Sequence, residues 1–211
     1  MARYRHTARA TQPQRRLRYA ARRAGWLGII LLIVAGAMLA DKQKLFGRRS
    51  SPDFPTYNGQ SFRVTHVVDG DTFDVEGGGP AGPVGPTRVR LLGVDTPETV
   101  KPDTPPQRYG PEASAFLKDL LLGRQVRLEL DASQGRTRDK YGRLLAYAHL
   151  DDGRCVDELI ISLGYGYADP RFRHARLAEY KRVQAVAKAA GVGLWKDITE
   201  PELPDYFRKP R

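Results

Sequence analysis

Three acids and two arginines in this chain have the types and the order needed to cut a phosphodiester. They are Asp71 in the turn Asp69-Gly70-Asp71-Thr72, then Arg90, Asp95 and Glu98 in the run RLLGVDTPE, and Arg143 at the end of Asp139-Lys140-Tyr141-Gly142-Arg143. Hydrolysis of that bond requires a polarising cation, a positioned water, and positive charge on the oxygens that gain negative charge in the transition state. Asp71 and Asp95 are hard oxygen ligands for such a cation. Glu98 is the candidate to orient and deprotonate the water, and Arg90 and Arg143 to hold the phosphate by forked hydrogen bonds that lysine cannot reproduce. Each string alone also reads as a turn: Asp69-Gly70 as a hairpin, Arg90 and Glu98 as a surface ion pair, 139–143 as a polar loop. Only together, and in this order, do they point to a site, with Asp69 in a supporting role.

The elements that must position these residues follow from periodicity. Phe62 to Val68 and Thr72 to Val75 read as strands around Asp69-Gly70, and Arg88 to Val94 as a third after the loop GGGPAGPVGP, which lacks the Lys-Ser/Thr of a phosphate cradle. Pro111 opens a helix to Leu122 with Ala113, Phe116, Leu117, Leu120 and Leu121 on one stripe, and Gly123 stops it. Val126 to Leu130 and Leu144 to Leu150 alternate as strands, and helices are expected near Val156 to Leu163 and Arg173 to Ala190. The fold class is mainly β with α: a five-stranded meander closed into a small barrel, with about three helices. Arg90 and Asp95 are five apart, so a regular strand would send them to opposite faces. A break at Gly93 to Asp95 is therefore predicted, with Pro97 turning the chain so that Glu98 projects back.

Charge divides the chain in two. Residues 1–50 hold twelve of the 35 Lys and Arg but one of the 24 Asp and Glu, so the rest of the chain carries 23 of each and is formally neutral. The net +11 is thus no nucleic-acid footprint of the globular part. Eight arginines precede an uncharged run, Gly25 to Ala40, with Trp26 at its edge. That pattern is a transmembrane signal anchor, or a signal peptide cut after Ala35-Gly36-Ala37. Positive charge ahead of the run places residues 1–24 in the cytoplasm as a basic tail, at a bacterial-type inner membrane. The domain then lies on the periplasmic or extracellular side, and is secreted if the segment is cleaved. Residues 41–59 read as a linker, 60–196 as the domain and 197–211 as a tail. The single cysteine, Cys155, excludes an intramolecular disulfide, and four scattered histidines offer no zinc site.

In their order from about Phe62 to Trp195, the Asp-Gly-Asp-Thr turn, RLLGVDTPET, Tyr109-Gly110-Pro111-Glu112-Ala113 and DKYGRLLAY strongly resemble the staphylococcal nuclease (thermonuclease) family. The resemblance implies an OB-fold barrel with three helices, a calcium ion (Ca2+), and endonucleolytic hydrolysis of DNA and RNA; no protein partner is implied, and a monomer is expected. It adds the backbone carbonyl of Thr96 to the metal ligands, and Lys140 and Tyr141 as contacts to a terminal phosphate. Two departures stand out. The stretch after Glu98, VKPDTPPQRYGPEA, is proline-rich where the family tends to be lysine-rich, and the family's base-stacking tyrosine has no aligned equivalent in GYGYADPRF, where Tyr167 or Phe172 could substitute. Two other classes compete: a non-catalytic OB module that binds nucleic acid or protein, and a scaffold whose basic tail rests on anionic lipid.

Overall fold

Five strands close into a barrel where the sequence alternates. The computed structural model describes residues 51–77, 85–99 and 105–208. Strands β1 (Ser61–Asp69), β2 (Thr72–Val75) and β3 (Thr87–Leu91) form an antiparallel ribbon. A two-residue strand, β4 (Val94–Asp95), stands outside the barrel. Strands β5 (Gln125–Glu129) and β6 (Leu144–His149) complete it in the order β1-β2-β3-β6-β5, with β5 closing onto β1. Phe62, Val64, Phe73, Val75, Val89, Leu128 and Leu144 fill the interior, while Arg63, Thr65 and Arg88 alternate outward. Register shifts in β1 opposite β2 mark bulges, which add the twist a small barrel needs.

The connectivity is not a simple meander, because β3 lies parallel to β6 rather than beside β5. Parallel neighbours need a crossover, and here it is supplied by the helix that follows β4 together with β5. Two helices frame this part: α1 (Asp53–Tyr57) ahead of the barrel, and α2 (Gly110–Leu121), which buries Ala113, Leu117 and Leu121. Helix α3 (Val156–Ser162) follows β6, then β7 (Tyr167–Ala168), which pairs with β4. Helix α4 (Leu177–Ala190) starts later than Arg173 because His174 turns into the core, its Nδ1 3.0 Å from the Tyr147 hydroxyl.

The domain is longer at both ends than the spacing suggests. Residues 51–59, expected as linker, carry α1, whose Tyr57 is buried with its hydroxyl 2.8 Å from Thr87 Oγ1. Asp53 in the same helix takes a forked pair from Arg138, Nη2 to Oδ1 at 2.8 Å. Residues 197–208, expected as tail, form a 3-10 turn (Glu200–Glu202) and helix α5 (Asp205–Arg208), with Phe207 packed against Tyr167 and Trp195. Aromatic anchors in otherwise polar segments explain both extensions. Cys155 is buried, as a small packing residue should be. The basic segment, the apolar run 25–40 and residues 41–50 lie outside the described residues. Among the described residues no helix is long and apolar enough to cross a membrane.

Candidate active site

At Leu91 the third strand stops, Leu92 and Gly93 turn, and β4 begins again at Val94. Gly93 has φ +83°, and a Cβ there would lie 2.2 Å from the His174 ring, so conformation and space both require glycine. This is the break that parity demanded. It lets the Arg90 guanidinium reach forward, Nη1 donating to the carbonyl of Val94 at 2.7 Å and Nη2 to Asp95 Oδ1 at 2.9 Å. The β4–β7 pair fixes Asp95 from the other side, opposite Tyr167.

Asp71 arrives from the β1–β2 turn. The turn is held by the Asp71 amide donating to Asp69 Oδ1 at 3.1 Å, which gives Asp69 the supporting role expected of it. Gly70 lets this turn press against the 95–96 segment and α2, since a Cβ would meet Thr96 Oγ1 at 2.7 Å and Ala113 Cβ at 2.8 Å. Asp71 Oδ2 then accepts from the Thr96 amide at 3.0 Å, from the Thr96 hydroxyl at 3.2 Å, and pairs with Arg90 Nη2 at 2.9 Å. One guanidinium nitrogen therefore joins two carboxylates, one from the β1–β2 turn and one from β4.

Burial pushes the Asp71 carboxyl up to about 6, helped by the Asp69 charge and opposed by Arg90 and the Thr96 amide. Burial also raises Asp95, with Arg90 opposing it, Asp71 adding to the rise and Arg171 opposing. Burial works against the charge of Arg90, yet Asp71 and Asp95 outweigh it and hold the guanidinium more firmly protonated than usual. The pocket thus carries carboxylate charge that its arginines do not fully balance.

Asp71, Arg90, Asp95, Thr96, Glu98 and Arg143 all line one cleft of about 250 Å³. Glu98 stands on the loop after Pro97, its Oε1 accepting the Thr99 amide at 3.0 Å and its own amide donating to Gln107 Oε1 at 2.9 Å. Arg143 comes from the β5–β6 connection, where Asp139 takes its Nε at 2.7 Å. Burial disfavours ionised Asp139, but hydrogen bonds from Arg143 and from two backbone amides outweigh it and lower its pKa. Lys140 and Tyr141 are brought beside Arg143 but not into the cleft wall: Tyr141 is 71% exposed, with Lys140 Nζ 4.9 Å and Arg143 Cζ 5.4 Å from its ring centre.

Three participants were missed in the sequence. Arg171 Nη2 forms an ion pair with Asp95 Oδ1 at 3.0 Å, and Arg171 is clamped by buried Asp169 at 2.9 and 2.8 Å. The acid and base two apart in Asp169-Pro170-Arg171 are the sequence signal for this pair. Tyr206 donates its hydroxyl to Asp95 Oδ2 at 2.9 Å, and no spacing rule links positions 111 apart. Of the two aromatics considered for base stacking, Tyr167 is buried, whereas Phe172 is 45% exposed and lines the cleft.

The family model for staphylococcal nuclease homologues matches residues 88–197. The chain belongs to the staphylococcal nuclease homologue family. It is 35% identical over 163 residues to a thermonuclease of Staphylococcus hyicus, covering 76% of this chain and 90% of the relative. Against a thermonuclease of Staphylococcus intermedius the identity is 44% over 129 residues, covering 59% of this chain and 70% of the relative. Endonuclease YncB of Bacillus subtilis is 37% identical over 137 residues, 63% of this chain and 60% of that protein. The closed five-stranded barrel with several helices agrees with the OB-fold of this family.

Members of the family use a metal ion, and the residues here fit one. Asp71 and Asp95 converge on a single cationic nitrogen, both disfavour their charge when metal-free, and both present oxygen only. Among the described residues no three Asp, Glu, His or Cys side chains gather at one point. A protein share of two carboxylates suits a weakly held hard cation that keeps waters and takes substrate oxygens.

Proposed function

We propose that this chain is a calcium-dependent nuclease that hydrolyses phosphodiester bonds of DNA and RNA, with Asp71, Asp95 and the Thr96 carbonyl as the protein's ligands for Ca2+. The observation that carries the reading is Arg90 Nη2 lying 2.9 Å from both Asp71 Oδ2 and Asp95 Oδ1, in the same cleft as Glu98 and Arg143. Calcium, when bound, supplies Lewis-acid polarisation of the phosphate and charge neutralisation. Arg90 exchanges its bonds to the two carboxylates for phosphate oxygens, and its delocalised fork stabilises the charge that grows there. Glu98 accepts a proton from the attacking water, a step that general-base catalysis makes faster by about 10²–10⁴-fold. Arg143 holds the phosphate from the other wall, its orientation kept by Asp139. Lys140 and Tyr141 meet the strand outside the cleft.

Relatives named thermonuclease and endonuclease support hydrolysis over a module that only binds. The arginine-preceded apolar run supports a domain tethered to a membrane, or exported, on the non-cytoplasmic side. The test is digestion of single-stranded DNA and RNA by the full chain in mild detergent, with calcium or with chelator. Glu98→Gln and Arg90→Ala are each expected to lose at least 100-fold in kcat while remaining folded by circular dichroism. Digestion that persists in chelator, or a Glu98→Gln variant of wild-type rate, would sink the reading.

A further inference from the structure

The C-terminal segment 197–208 runs from contacts with Arg108 and Tyr109, just ahead of α2, to a contact with Asp95. At its start, Arg108 Nη2 binds Asp197 Oδ2 at 2.5 Å and Arg108 Nη1 binds Glu202 Oε1 at 3.5 Å, while the Tyr109 hydroxyl also donates to Asp197. These residues belong to the loop that leads from Glu98 into α2. The middle is stiffened by the reciprocal cap between Thr199 and Glu202, with Thr199 N and Oγ1 donating to Glu202 Oε2 at 2.8 and 2.7 Å. At its end Phe207 packs on Tyr167 and Trp195, 5.4 and 6.5 Å between ring centres, which leaves Tyr206 turned towards Asp95.

We infer that Tyr206 is a positioning residue for Asp95, delivered by this C-terminal strap. The inference rests on the reading of Asp95 as a cation ligand. Asp95 sits on a two-residue strand outside the barrel, where pairing with β7 sets its backbone but not the direction of its carboxylate. The carboxylate is fixed from three directions: Arg90 and Arg171 on Oδ1 at 2.9 and 3.0 Å, and Tyr206 on Oδ2 at 2.9 Å. Arg171 in turn lies 4.6 Å from the Tyr206 ring centre, so tyrosine and arginine brace each other. Arg90 and Arg171 are cations that substrate phosphate can draw away, whereas the phenol is neutral and remains. A carboxylate oxygen that accepts one hydrogen bond keeps a second lone pair for a metal. Outer partners of this kind set ligand orientation, and their loss typically costs 10–100-fold in metal affinity.

The test is isothermal titration of the chelator-treated full chain, in mild detergent, with calcium chloride. Tyr206→Phe removes the hydroxyl and keeps the ring. Its calcium Kd is expected to rise roughly tenfold, with an unfolding midpoint in chelator within a few degrees of wild type, which a merely structural contact would not produce. Arg108→Ala, which touches the strap and not Asp95, is expected to weaken calcium binding in the same direction, and decides the matter should Tyr206→Phe not fold. A Kd equal to or lower than wild type in the folded variant overturns the positioning role and leaves the nuclease reading standing. A wild-type chain that binds no calcium overturns both.

Discussion

Three carboxylates, Asp71, Asp95 and Asp157, are raised for the same first reason, burial, yet they differ in what faces them. The first two meet Arg90 and sit in the cleft. Asp157 lies in the first turn of α3, where Oδ2 accepts the Ala148 amide at 3.0 Å and the Cys155 thiol at 3.6 Å, and Oδ1 finds no hydrogen-bond partner among the described residues. A buried acid with a cation partner and a cleft can be put to chemical use; one that joins a strand to a helix is a structural device with a pH cost. Burial pushes Asp157 up to about 7 from 3.8. A folded value above the unfolded one means that the neutral acid is the better guest. Its stability contribution is complete below about pH 4, falls as pH rises from about 4 to 7, and is flat beyond. Asp157→Asn removes that loss. The variant is expected to be more stable than wild type by on the order of 1–3 kcal/mol near pH 8, and to lose this advantage near pH 4. Denaturant unfolding in chelator at the two pH values measures it.

At the scale of elements, the site depends on one interruption. If β3 ran straight through Gly93, Arg90 and Asp95 would stand on opposite faces, and the shared guanidinium contact could not form. Gly93→Ala forces a side chain into a left-handed conformation and into the His174 ring, so β4 must shift away from β7. The expected cost is on the order of 3 kcal/mol, or roughly 10 °C in unfolding midpoint, together with a loss of nuclease activity larger than stability explains. Adding His174→Ala should return part of the activity by opening the space, which differential scanning calorimetry and a digestion assay together would show. This break was legible in the sequence because parity is a local rule: two residues five apart cannot share a face of a straight strand. The barrel strands were legible for the same reason, since Phe62, Val64, Phe73 and Val75 alternate in view. Other features depended on contacts across the chain. Pairing of β4 with β7, the parallel seat of β6 beside β3, and the docking of α1 through Asp53 and Arg138 follow from which surfaces meet, not from any window of residues. Tyr206 belongs to that second group, as does Arg171 in its contact with Asp95.

For the molecule as a whole, the distribution of charge separates two jobs. The portion after residue 50 is formally neutral and the carboxylates lining its cleft outnumber the arginines, so a polyanion is drawn there by those arginines acting together with a bound cation, and the surplus of eleven positive charges belongs to residues 1–50. Those charges flank an uncharged run of sixteen residues, Gly25 to Ala40. Three arrangements make different demands on that run. An inserted anchor is held by burial of apolar side chains in the hydrocarbon, which salt does not weaken. A basic tail resting on anionic headgroups is held by charge, and at about 1 M salt the screening length falls to about 3 Å, so it is released. A cleaved signal peptide leaves a shorter, soluble product. Expressed in a Gram-negative bacterium, the full-length chain is expected to sediment with the membranes, to resist extraction by about 1 M salt, and to be solubilised by detergent with its nuclease activity. Protease added to spheroplasts should digest it from outside if, as proposed, the arginines ahead of the run keep the opposite end in the cytoplasm. Release into the supernatant at high salt would identify a surface-bound tail instead, and a product shortened by some forty residues would identify a signal peptide. Either outcome would remove the tether while leaving the geometry of Asp71, Arg90 and Asp95, and the case for hydrolysis built on it, untouched.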